Sequence, residues 1–170
     1  GTGTFLGTVK NVTFLHAPGF CQVFTKSPIA DASAYLAIKL EVRSSTPEYR
    51  GFKFAFNAVG APRHHGGHEV TGSYKTSFTL SNETEDFQIV TLPFSQFSSD
   101  WSDYTGDCST KDPDGYQHVC CTPSTPQVCP DAKRLAQISG FSLWAEGAEG
   151  DFCLQFKQFN ATNSVSSFSA

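Results

Sequence analysis

The chain has 170 residues, a formal net charge of −4, 16% charged residues and sixteen phenylalanines. A chain this rich in apolar rings is globular rather than disordered, and its length suits one domain able to bury roughly 70% of its unfolded surface. Lysine and arginine are scattered singly, without the concentrated basic footprint of a nucleic-acid-binding protein, and no run approaches the roughly eighteen apolar residues of a membrane span.

Helical periodicity is almost missing. Short alternating segments, punctuated by Gly, Pro, Asn and Ser, predict strands over Thr4 to Val9, Val12 to Leu15, Phe20 to Lys26, Tyr35 to Ser44 and Tyr49 to Asn57. They continue over Ser73 to Thr79, Gln88 to Pro93, Ile138 to Trp144 and Phe152 to Phe159. Leu36, Ile38, Leu40 and Val42 share one face of their strand, and Lys39, Glu41 and Arg43 the other. Phe52, Phe54 and Phe56 form a second stripe, opposed by Lys53 and Asn57. One short helix is predicted over Pro130 to Gln137, with Pro and Asp in its first turn and Lys133 and Arg134 following. Strands at this spacing predict an all-β antiparallel sandwich in which most phenylalanines are core. The chain reads as one domain over residues 1–161, with an insert at about 98–134; residues 162–170 form a Ser-rich tail, a poorly packed end or a surface strap.

Six cysteines in a compact domain predict disulfides and an oxidising compartment. Sequence neighbours rarely bridge, so Cys120 and Cys121 are expected to pair with Cys108 and Cys129, in either order. Cys21 and Cys153 are then left for one another; the alternative is that some of the six are buried free thiols. Zinc ligation has a poor match in this spacing, with His118 near Cys120 as its one support. Asn11, Asn82 and Asn160 each open an N-x-T sequon, which is compatible with secretion. Methionine is absent, including at position 1, as expected of a processed chain or of a sequence lacking its beginning.

The order of these segments resembles the complex I intermediate-associated protein family. GTGTF followed by FLGTV is similar to the segment after that family's Gly-rich motif, and APGFCQVFTK to its Gly-Phe strand. AYLAIKLEVRSS and YRGFKFAF are similar to its central strand pair. DFQIVTLPFSQF is similar to its strand ending in Leu92, Pro93 and Phe94, with Phe97 beyond. ISGFSLW and GDFCLQFKQF are similar to its closing hairpin, carrying Ile138, Gly140, Phe141, Gly150, Phe152 and Leu154. The resemblance implies a jelly-roll or galactose-binding-like β-sandwich, related to carbohydrate-binding modules, and association with protein subunits of a large membrane energy-converting complex. Two departures stand out. The family's Met-Gly-Gly turn has no counterpart, so position 1 is expected to fall inside a strand whose sheet is completed by further residues or a partner. The cysteine-rich stretch Ser98 to Arg134 is longer than the family's connection and argues for an oxidising side, such as a thylakoid lumen.

Catalytic motifs are scarce: GxSxG, HExxH, a Walker loop and a dinucleotide fingerprint are all missing. His64, His65 and His68 in RHHGGH read as a solvated loop before a metal site. Asp112 and Asp114 in KDPDGY read as a turn before a calcium loop, because the later bidentate Glu is missing. Glu83, Glu85 and Asp86 form an acidic turn that meets water. Trp101 and Tyr104 lie among small polar residues of the insert, either as exposed stacking platforms or packed beneath the disulfides. Trp144 reads as core. The expectation is a non-catalytic binding or scaffold module without cofactor; the alternative is a secreted carbohydrate-binding module using Trp101 and Tyr104.

Overall fold

The computed structural model describes residues 1–14, 16–25, 31–63 and 72–164. The strands are β1 (Gly3–Val9), β2 (Asn11–Val12), β3 (Ala17–Pro18), β4 (Phe20–Thr25), β5 (Ala37–Ser44), β6 (Phe52–Ala58), β7 (Ser73–Ser77), β8 (Gln88–Pro93), β9 (Ile138–Glu146) and β10 (Gly150–Thr162). One four-stranded sheet runs β1-β10-β5-β8 and the other β4-β9-β6-β7, with β2 and β3 as a small hairpin between β1 and β4. Every pairing is antiparallel. The expected jelly-roll β-sandwich is therefore the architecture, and its disulfide-rich insert lies between β8 and β9.

Alternation fixes what each strand buries. Phe52, Phe54 and Phe56 point between the sheets, where they meet Phe97, Phe141 and Phe152. Each such ring contributes roughly 1.5–3 kcal/mol by leaving water. Ile38, Leu40 and Val42 face them from β5, whereas Leu36 lies ahead of the strand and is exposed. The expected helix contracts to α1 (Ala132–Leu135). Asp131 caps it by accepting from the Arg134 amide at 2.9 Å, and one turn is all that fits between Pro130 and β9. The last residues of the predicted tail, from position 165 on, lie outside the described ones.

Lys53 lies opposite the Phe stripe as expected, yet β6 is buried on both faces, because the insert lies across the outer side of its sheet. One expectation is corrected. Cys21 and Cys153 do not bridge one another; both are free thiols. Parity explains this. Phe152 and Leu154 point into the core, so Cys153 between them faces outward from its sheet. Cys21 packs inward from the opposite sheet, its sulfur near Gly7 of β1. The remaining four cysteines pair as Cys108–Cys120 and Cys121–Cys129, which settles the order that the sequence left open.

Candidate functional site

Three features distinguish the surface: a charged seam beneath the insert, an apolar rim, and a cavity beside that rim.

The seam forms on the outer face of β4-β9-β6-β7, where alternation turns Lys53, Lys75, Ser142, Trp144 and Glu146 away from the core. The insert covers these side chains. Lys75 is 2% exposed; its Nζ donates to Glu146 Oε1 at 2.5 Å and lies over the Trp101 and Trp144 rings at 3.4 and 3.7 Å from their centroids. An ammonium held between two ring faces and a carboxylate recovers much of the solvation it has lost. Lys53 donates to Asp107 Oδ1 at 2.7 Å and to Ser77 Oγ at 2.9 Å. Gly106 lets the insert descend this far. Its φ of +70° is left-handed, and a Cβ there would collide with the Glu146 carboxylate and the Lys53 stem.

Within the insert, His118 lies between two buried carboxylates. Its Nδ1 is 2.7 Å from Asp100 Oδ1 and its Nε2 is 2.9 Å from Asp112 Oδ2. Asp112 also accepts from Ser102 Oγ at 2.5 Å, and Asp100 from the Val119 amide at 3.0 Å. A neutral imidazole has one N–H, so both bonds to ionised carboxylates require the imidazolium. Burial pulls the His118 pKa down, but the hydrogen bonds and charges of Asp112 and Asp100 outweigh it and hold the pKa above its ordinary value.

The candidates from sequence fall apart on this geometry. Trp101 is not an exposed platform: it is 3% exposed and packs against Lys75 and, at 6.2 Å between centroids, Trp144. Tyr104 is half-buried. Trp144 belongs to the seam rather than the core between the sheets. Asp112 to Gly115 close a turn, with Gly115 N–H donating to the Asp112 carbonyl at 2.9 Å and φ +94° at Gly115. Both nitrogens of His118 are occupied, and among the described residues no group of three or more His, Cys, Asp or Glu could hold a metal. His64, His65 and His68 lie outside the described residues. Asn11, Asn82 and Asn160 are all exposed, Asn160 on β10.

The rim is where β1 and β4, edge strands of opposite sheets, approach each other. On β4, Phe20 and Phe24 are 61% and 60% exposed and Val23 is also exposed; Phe14, on the adjoining hairpin turn, is 82% exposed. Phe20 reaches the Trp144 ring at 5.3 Å, so the rim touches the end of the seam. Sequence reasoning passed over these residues because an alternating Phe-Cys-Gln-Val-Phe strand reads as half-buried. The usable signal was that β4 carries no charge in either register.

Beside the rim the two sheets part over a cavity of about 340 Å³. It lies under β10 at Phe156 to Phe159, where the pairing of β10 with β1 ends at Phe156.

No family model and no curated protein matches the chain. A search of solved structures returns the structure of PfGH50B, a glycoside hydrolase family 50 structure, at 12% identity and a TM-score of 0.49. The match covers 98% of this chain and 23% of that one, so the chain spans about a quarter of that protein's length.

Proposed function

We propose that this domain is a non-catalytic protein-binding or scaffold module that docks onto a large assembly through the β1–β4 rim. The observation carrying this reading is the pair of exposed rings Phe20 and Phe24 on the outer face of an uncharged edge strand, with the exposed Val23 on its other face and Phe14 on the adjoining turn. Natural sheets blunt their edges with charges, prolines or cover, and β4 has neither charge nor proline. Exposed aromatic clusters mark partner surfaces, because rings supply contact area at low entropic cost. The resemblance to the complex I intermediate-associated family supports a membrane energy-converting complex, respiratory or photosynthetic, as the partner. The two disulfides mark an oxidising compartment. A thylakoid lumen is the compartment we favour within that class. The carbohydrate-binding alternative loses its main support with Trp101 inside the seam.

A photo-cross-linking residue at position 20, introduced in native membranes and read by mass spectrometry, tests this. Cross-links to subunits of one membrane complex are expected, together with loss of co-migration on native gels for Phe20→Glu. A chain that migrates alone and leaves no cross-link would sink the reading.

A further inference from the structure

We propose that the cavity beside the rim is a binding site for a neutral, ring-containing apolar molecule of naphthalene or monoterpene size. Its walls come from both sheets: Leu40 and Val42 from β5, Phe54 from β6, Phe141 and Leu143 from β9, and Phe159 from β10. Leu40, Val42 and Phe54 are core residues, so the cavity is a half-open cleft whose floor lies inside the sandwich and whose mouth is at the exposed Val23 and Phe24. Protein interiors close-pack, and voids larger than a water molecule are few. At about 340 Å³ this one is more than twice the roughly 150 Å³ that, lined by Leu, Ile and Phe, stays dry and takes up benzene.

The lining selects the chemistry. Among the described residues no charged side chain borders the cavity, and the polar ones that do are Thr25, Ser142 and Gln158. Two of these border it only along the backbone, since their side chains turn to the outer faces: Ser142 Oγ accepts from Trp144 Nε1 at 2.7 Å in the seam, and Gln158 Nε2 donates to Glu41 at 2.9 Å. An ionised or strongly polar ligand would therefore lose its hydration without replacement, while a hydrocarbon would lose nothing. The rings of Phe54, Phe141 and Phe159 form a mutually contacting cluster, with centroids 4.7 to 5.8 Å apart, that offers edges and faces to an aromatic guest. Scaling from benzene in its roughly 150 Å³ cavity, the space accepts about ten to thirteen heavy atoms. The site opens toward the rim, so a guest enters without unfolding either sheet.

Naphthalene is the probe. Titrated into the oxidised protein, it should give saturable one-to-one shifts of the methyl resonances of Leu40, Val42 and Leu143, and a rise in melting temperature. Val23→Trp, at the half-exposed mouth, should weaken the affinity at least tenfold while leaving the fold intact by circular dichroism. Val42→Phe, which fills the floor, should do the same. Phe20→Glu should leave naphthalene binding unchanged, which separates this site from the protein-docking reading of the rim. Absent or non-saturable shifts, shifts confined to the exposed rim, or an affinity indifferent to Val23→Trp would each overturn the proposal.

Discussion

At the scale of single residues, the buried charges of the seam are the most consequential. Removing Lys75 strands Glu146 in a dry site. Lys75→Met should cost about 3–5 kcal/mol, and the double variant Lys75→Met with Glu146→Leu should regain most of it. Chemical denaturation of the two singles and the double gives the coupling; simple additivity would show that the pair is not a unit. His118 makes a pH prediction with a definite sign. Its folded pKa is held above its unfolded value of about 6.5, so its stabilisation is complete below that pH and fades as pH rises through the folded pKa. The wild-type lead in melting temperature over His118→Gln should thus be larger at pH 6 than at pH 9. Little of this was legible in the sequence. Alternation placed Lys53 opposite Phe52 and Phe54 correctly, but solvent was the default for that face, and only the tertiary position of the insert says otherwise. Asp100, Asp112 and His118 carry no local pattern, since their meeting depends on how an irregular loop closes.

Among elements, the strands were the readable part. The run Gln88–Pro93 falls as expected, and β9 and β10 extend a few residues beyond theirs because glycines at 147 and 150 turn the hairpin later. Strand period is a local signal, whereas the rim's exposure depends on which strands end up at an edge. Cys21 and Cys153 failed for the same reason: parity within each strand was visible, but the faces their strands turn to each other were not. The insert is held by close approach, and Gly106 tests that. Gly106→Ala adds a strained φ and a steric collision, and should destabilise the protein by about 2–4 kcal/mol. Thermal melts should register this while leaving far-UV circular dichroism at 20 °C unchanged; an Ala variant as stable as wild type would mean that the insert docks more loosely.

For the whole molecule, the ion pairs and ring contacts between sandwich and insert predict one cooperative body while the disulfides are intact. The chain's two tryptophans, Trp101 and Trp144, both sit in the seam, so fluorescence reports on its closure and circular dichroism on the sheets. In the oxidised protein the two transitions should coincide. The disulfides close loops with sequence separations of 12 and 8, and each contributes about 2.5–3 kcal/mol through the unfolded chain. After reduction the fluorescence transition should precede the circular dichroism transition; coincident curves would show that the disulfides do not hold the insert's shape.

Both disulfides begin and end inside the insert, and neither reaches a sheet. The insert is therefore a stapled plate fastened to the sandwich by non-covalent contacts: ion pairs, ring stacking and hydrogen bonds. It is also a roof over ions. A version of this domain trimmed between Phe97 and Asp131 would leave Lys53, Lys75 and Glu146 on an open sheet, with Trp144 beside them. Shortening the loop, the usual way to simplify a β-sandwich, would here uncover a surface never made to meet water.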